Sequence, residues 1–299
     1  MNAVAQHQIL SHLITPRSAC AHAVAILAVL GGLLAARAAP AQQELPARLQ
    51  EVFMEGVQAQ KAGQLDAAEK AFLRVLREGG EVAFVYNNLG IVYQQRGDQP
   101  KAIEQFRKAI RLNPNYAAPR ILLGASLLAT GQVPEATRSL EKAVKLAPGE
   151  PLARLQLAKA YERGNNFAGL VEQYRALREI APQEPEFAYQ LGNAYLRLTA
   201  WCYQEIARIN PRSARGYQAT AETNRMRGRN DIAIRAFQRA GALDPKLPEI
   251  HLALAEIYLE QGKPDAARRE IEQELEIVPE SAKALALKKK IEAAGAPGP

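Results

Sequence analysis

Residues 83–114, AFVYNNLGIVYQQRGDQPKAIEQFRKAIRLNP, decide the fold. Tyr86, Leu89, Gly90 and Tyr93 recur at helical spacing and form one apolar stripe. Arg96-Gly97-Asp98 is turn chemistry, because glycine takes positive φ without a steric penalty. Ala102, Phe106 and Ala109 form a second stripe, and Pro114 after Asn113 stops it. The stretch therefore predicts two short amphipathic helices joined by a tight turn.

The same arrangement repeats along the chain. Pro114, Pro148 and Pro182 follow one another at intervals of 34 residues, as do Pro211, Pro245 and Pro279. Gly63, Gly97 and Gly131 keep the interval, as do Ala68, Ala102 and Ala136. The unit resembles the tetratricopeptide repeat (TPR), a 34-residue helix–turn–helix with the signature W-x2-L-G-x2-Y…A-x3-F…P. Tyr86 stands where the signature has Trp, and Leu89, Gly90, Tyr93, Ala102, Phe106 and Pro114 match it. The resemblance implies an all-α solenoid that grows by stacking, without a single central core. No run of alternating Val, Ile and aromatic residues predicts a strand.

Working outward gives about seven repeats. A first block, 42–182, holds repeats at 49–80, 83–114, 117–148 and 151–182. A second block, 211–293, holds repeats at 214–245 and 248–279 and a capping helix at 281–293. Residues 294–299 read as a disordered Gly/Pro tail. The fifth repeat, within 183–210, is irregular, because its terminal proline arrives at Pro211, five residues early. Turn residues are missing between Asn193 and Asn210. Phe187, Leu191, Tyr195, Leu198, Cys202, Ile206 and Ile209 instead form an unbroken heptad-like stripe. One continuous helix from about 186 to about 209 is expected, its first half against repeat four and its second against repeat six; the alternative is a shortened hairpin with a tight turn near 197–200. Trp201, Cys202 and Tyr203 are expected in the core.

Residues 1–41 read as a signal peptide. Arg17 precedes the apolar run at 19–36, and Ala39-Pro40-Ala41 is a small-x-small site before Gln42. The expectation is a periplasmic or secreted chain cleaved near Ala41-Gln42, with no membrane span afterwards. The alternative is a retained N-terminal anchor, since about 18 apolar residues is at the lower edge of what crosses a bilayer. Cys20 lies in this leader, which leaves Cys202 alone and excludes an intrachain disulfide in the mature chain.

The 299 residues carry a net charge of +7, spread over helices of mixed sign. Lys288-Lys289-Lys290 is the one tight basic run and reads as a solvated helix end, so no nucleic-acid partner is expected. Beyond the leader the chain has one His, His251, and one Cys, too few for a zinc or haem site. A Gly-rich phosphate loop is also missing. These residues predict no metal, no cofactor and no enzyme.

In the family this chain resembles, the outward face of each first helix lines a concave groove that binds extended peptides or other proteins. Carried over, that face is Phe53, Val57 and Lys61, then Phe84, Asn87, Ile91 and Gln94. Repeat three supplies Ile121, Ala125 and Leu128, and repeat four Leu155, Lys159 and Arg163. Tyr189 and Asn193 follow from repeat five, and Arg215, Gln218 and Arg225 from repeat six. Lys61 and Asn88 match parts of a clamp for a terminal carboxylate. The resemblance implies a non-enzymatic scaffold that binds extended protein segments. An alternative is an accessory subunit of cell-envelope or exopolysaccharide export with carbohydrate contacts, which more groove aromatics would favour.

Overall fold

The structure is a computed structural model that describes residues 45–294. The leader and the tail from residue 295 lie outside the described residues. Among the described residues are fourteen α-helices and no strand. In chain order they are α1 (Ala47–Lys61), α2 (Leu65–Arg77), α3 (Ala83–Gln95), α4 (Gln99–Leu112), α5 (Ala117–Ala129), α6 (Val133–Leu146) and α7 (Pro151–Arg163). They continue as α8 (Phe167–Ile180), α9 (Pro185–Ile209), α10 (Ala214–Met226), α11 (Asn230–Leu243), α12 (Ile250–Glu260), α13 (Pro264–Ile277) and α14 (Ala282–Ala294).

The 34-residue rhythm is a rhythm of turns. Gly63, Gly97, Gly131, Gly228 and Gly262 all have φ between 70° and 81°. Asn165, with φ 55°, takes the same left-handed conformation in repeat four. Asparagine tolerates that region better than other residues with a Cβ. Thr199, one interval after Asn165, is β-branched and lies inside α9.

Two compact units make up the chain. One contains α1–α7; the other contains α8–α14, apart from residues 179–181, which group with the first. The boundary after Asn166 falls inside repeat four, where the sequence places a block limit at 182. In the first unit α1/α2, α3/α4 and α5/α6 pair as hairpins, each packing on the next first helix. A continuous cluster from Leu49 to Ala160 fills the space between them. In the second unit α10/α11 and α12/α13 pair in the same way, and α14 covers α13. Glu274, 1% exposed, accepts the backbone N–H groups of Glu249 (2.8 Å) and Leu252 (3.2 Å) and so caps α12. On α14 the packing row is Ala284, Leu287 and Ile291, so Lys289 and Lys290 point to solvent.

Close approach within each hairpin needs a small residue on the first helix. A Cβ added to Gly56 would come within 2.7 Å of Phe72, one on Gly90 within 2.6 Å of Phe106, and one on Gly124 within 2.4 Å of Leu140. Ala221 with Phe237, and Ala255 with Ile271, form the corresponding fully buried pairs of the second unit.

The long helix α9 departs from this plan. Its 25 residues run without interruption, through the place where a turn would reset the phase. Only Phe187, Leu191 and Ala194, all in its first half, are buried. The second half packs on α10, and burial pushes the Tyr203 hydroxyl up, with Glu222 of α10 adding to the shift. The expected core positions of Trp201 and Cys202 are corrected here: Trp201 is 40% exposed and Cys202 is exposed. No second helix of the fifth repeat exists to cover them.

Spin labels on cysteines introduced by Glu186→Cys and Arg208→Cys, with Cys20 and Cys202 changed to Ser, measure this helix. In labelled chains diluted with unlabelled ones, about 33 Å is expected between the two backbone positions at 1.5 Å per residue. A hairpin would bring them within about 15 Å, since packed helix axes lie about 10 Å apart.

Candidate functional site

In the first unit the first helices of successive repeats lie side by side: α1 on α3, α3 on α5, and α5 on α7. Their shared face holds an aromatic pair. Phe53 and Phe84 meet edge to face at 4.9 Å, and Phe53 also reaches Phe72 at 5.5 Å. Both Phe53 and Phe84 are half-buried, as are Val57, Ile91, Ala125, Leu155 and Lys159. Lys61 and Arg163 are exposed, and Arg163 donates to the carbonyl of Leu128 at the end of α5. Gln94 donates to the Ser126 hydroxyl at 3.0 Å and so ties α3 to α5.

Asn87 sits on this face, one turn from Phe84 and from Ile91. It is 5% exposed, and its side-chain oxygen has no hydrogen-bond partner among the described residues. A buried, unpaired amide oxygen costs about 1–3 kcal/mol, so such a group calls for an explanation.

Two of the expected groove residues do not line it. Ile121 is 2% exposed and packs with Ala143 and Ala153, and Leu128 is 4% exposed inside the main cluster. A wheel of α5 alone shows only its partner within the hairpin, whereas α5 is also flanked by α3 and by α7, whose Ala153 packs with Ile121. Asn88 is likewise no free clamp residue, because its amide donates to the Phe84 carbonyl at 2.8 Å.

In the second unit Tyr189 is 57% exposed and Asn193 is half-buried. Gln218 is buried and accepts from Arg215 at 2.6 Å, and Arg225 pairs with Glu256 at 2.5 Å. These polar groups are already matched within the unit. Burial holds the Glu222 carboxyl above the usual carboxylate value; Arg225 opposes that shift, and Glu256 and Glu249 add to it.

One feature of the first unit escapes sequence reasoning. A cleft of about 380 Å³ between α4, α5 and α6 gathers Arg107, Arg111, Arg120, Arg138 and Lys142 over Ile110 and Leu123. Glu135 is its one carboxylate and pairs with Arg107 at 2.6 Å. These cations are scattered over three helices in sequence, so only the packing of α4 and α6 on α5 assembles them.

Among the described residues no group of three His, Cys, Asp or Glu side chains is suited to a metal. His251 contacts Glu270 at 2.8 Å and links α12 to α13. Among the described residues no helix is long and apolar enough to cross a membrane.

Residues 83–116, 121–185 and 225–291 each match a family model described as tetratricopeptide repeat, and together they cover more than half of the chain. The chain belongs to the tetratricopeptide repeat family. Curated proteins give no match. Among similar solved structures, the MamA protein shares 20% identity, over 66% of this chain and 92% of that one, with a TM-score of 0.43. A tetratricopeptide repeat protein from Parabacteroides merdae ATCC 43184 shares 15% identity, over 82% and 98%, with a TM-score of 0.47. The second TPR domain of human RPAP3, in complex with an HSP70 peptide, shares 22% identity, over 38% and 97%, with a TM-score of 0.36.

In this tetratricopeptide repeat chain Glu222 gives a pH signature. Its folded-state pKa is raised, so below the usual value both folded and unfolded states hold the proton and nothing is lost. As pH rises through the folded pKa, the folded state is penalised. Glu222→Gln is therefore expected to raise the melting temperature at about pH 8 and to leave it unchanged near pH 4. Equal shifts at both pH values would contradict this.

Proposed function

We propose that the chain is a non-enzymatic interaction scaffold that binds an extended protein segment along the first helices of its N-terminal unit. The observation that carries this reading is the shared face of α1, α3, α5 and α7, on which the half-buried Phe53, Phe84 and Ile91 line successive first helices. The apolar side chains of an extended peptide suit Phe53, Phe84 and Ile91. Membership of a repeat family whose hairpins present such faces supports the same reading. The face of the C-terminal unit is a weaker candidate, because Arg215, Gln218 and Arg225 already have partners there.

Peptides selected from a displayed random library on the full chain test this. Asn87→Leu keeps the volume and removes the unpaired oxygen, so stability is expected to hold or rise by about 1 kcal/mol. The selected peptides are expected to bind Ile91→Glu at least about tenfold more weakly, because a charge then stands in the apolar face. Undiminished binding to Ile91→Glu, with loss on Arg138→Glu in the basic cleft, would move the site to the outer surface.

A further inference from the structure

The unbroken helix α9 leaves a face without its partner. In repeats one to three the first-helix glycine is filled by a large side chain of the second helix, but nothing lies within 4 Å of a Cβ added to Gly192. From Gly192 onward, Tyr195, Thr199, Cys202, Ile206 and Ile209 continue the same row, spaced 3, 4, 3, 4 and 3 residues. That is the a/d spacing of a coiled-coil seam. All six residues are exposed, and Ile209 reaches 75%. None is charged. Tyr203, which faces α10, lies off this row, as do Phe187 and Ala194, the buried residues of the first half that flank Leu191.

We propose that this row is the interface for a second copy of the chain, with two α9 helices pairing antiparallel. A second copy fits this row in three ways. First, the spacing is palindromic about the point midway between Thr199 and Cys202. A two-fold axis there sets Gly192 against the partner's Ile209, Tyr195 against the partner's Ile206, and Thr199 against the partner's Cys202. A C2 interface must be self-complementary in this way. Second, the sizes agree, since the open Gly192 notch meets the most exposed isoleucine. Third, the row itself brings no charges together, and a cation bonded to it, Arg175 of α8, donates to the Tyr195 hydroxyl at 3.1 Å. Glu205 flanks the row and already pairs with Arg208 of its own helix at 2.7 Å. With the flanking Leu196 and Trp201, both exposed, the pair would bury on the order of 1,000 Å², the threshold of a specific interface.

Sedimentation equilibrium of the full chain at micromolar concentration tests the pairing. The expected mass is twice 32.7 kDa. Ile206→Glu is expected to give a monomer with unchanged helicity, while Leu285→Glu, at an exposed leucine of α14, keeps the dimer. A monomeric wild-type chain, or a dimer that survives Ile206→Glu, would overturn the proposal. Crosslinking tests the register even if that variant fails to fold. Two preparations are made in a Cys20→Ser background, one with its cysteine only at 202 and one with Thr199→Cys and Cys202→Ser. Mixed and mildly oxidised, they are expected to form disulfide-linked dimers much faster than either alone. Faster linkage within a single preparation would contradict the antiparallel register. Wild-type monomers linking Cys20 to Cys202 would show that the leader covers the seam and would equally refute the dimer.

Discussion

A small residue on each first helix lets the large side chain of the second helix reach its backbone. Gly56 with Phe72, Gly90 with Phe106 and Gly124 with Leu140 place a fully buried side chain against bare helix backbone. Burial of one such phenylalanine is worth about 3–5 kcal/mol as judged by truncation to alanine. That contact fixes how closely the hairpin closes and hence which faces are left for neighbouring repeats. Three residues further along the same stripe, a tyrosine ties the first helix to the helix before it. Tyr93 donates to Glu69 at 2.6 Å and Tyr161 to Glu141 at 2.9 Å, while Tyr195 accepts from Arg175 at 3.1 Å. Burial, then the Glu69 hydrogen bond, pushes the Tyr93 hydroxyl up to about 12, so it stays a donor at any physiological pH.

Where that constraint is relaxed, the architecture changes. Repeat five retains Leu191, Gly192 and Tyr195 but has Thr199 at the turn position. A β-branched residue resists positive φ, and five residues are missing besides. The helix therefore runs on, Gly192 stays open, and the apolar row beyond it meets solvent. The unpaired face follows directly from the lost turn.

Most of the fold was legible because the period is written in glycines, prolines and alanines, whose roles are local. The unbroken helix was legible too, since heptad spacing crosses the place where a turn should fall. The site was less so. Ile121 and Leu128 look like groove residues on a wheel of one helix, but Ile121 packs with Ala143 of α6 and Ala153 of α7, and Leu128 lies inside the main cluster. Cys202 and Trp201 look like core residues by type, and only the missing partner helix leaves them exposed. The cations of the outer cleft and the unpaired oxygen of Asn87 depend on three-dimensional neighbours that no local pattern encodes.

The small–large pairing is tested most directly by making one substitution at two glycines and following urea unfolding by far-UV circular dichroism. Gly90→Ala drives a Cβ into the Phe106 ring and is expected to cost about 1–3 kcal/mol by overpacking. Gly192→Ala, compared with its parent in an Ile206→Glu background where α9 has no partner copy, meets open space and is expected to stabilise by up to about 1 kcal/mol through helix propensity alone. Shifts of the same sign and size at both positions would contradict the account.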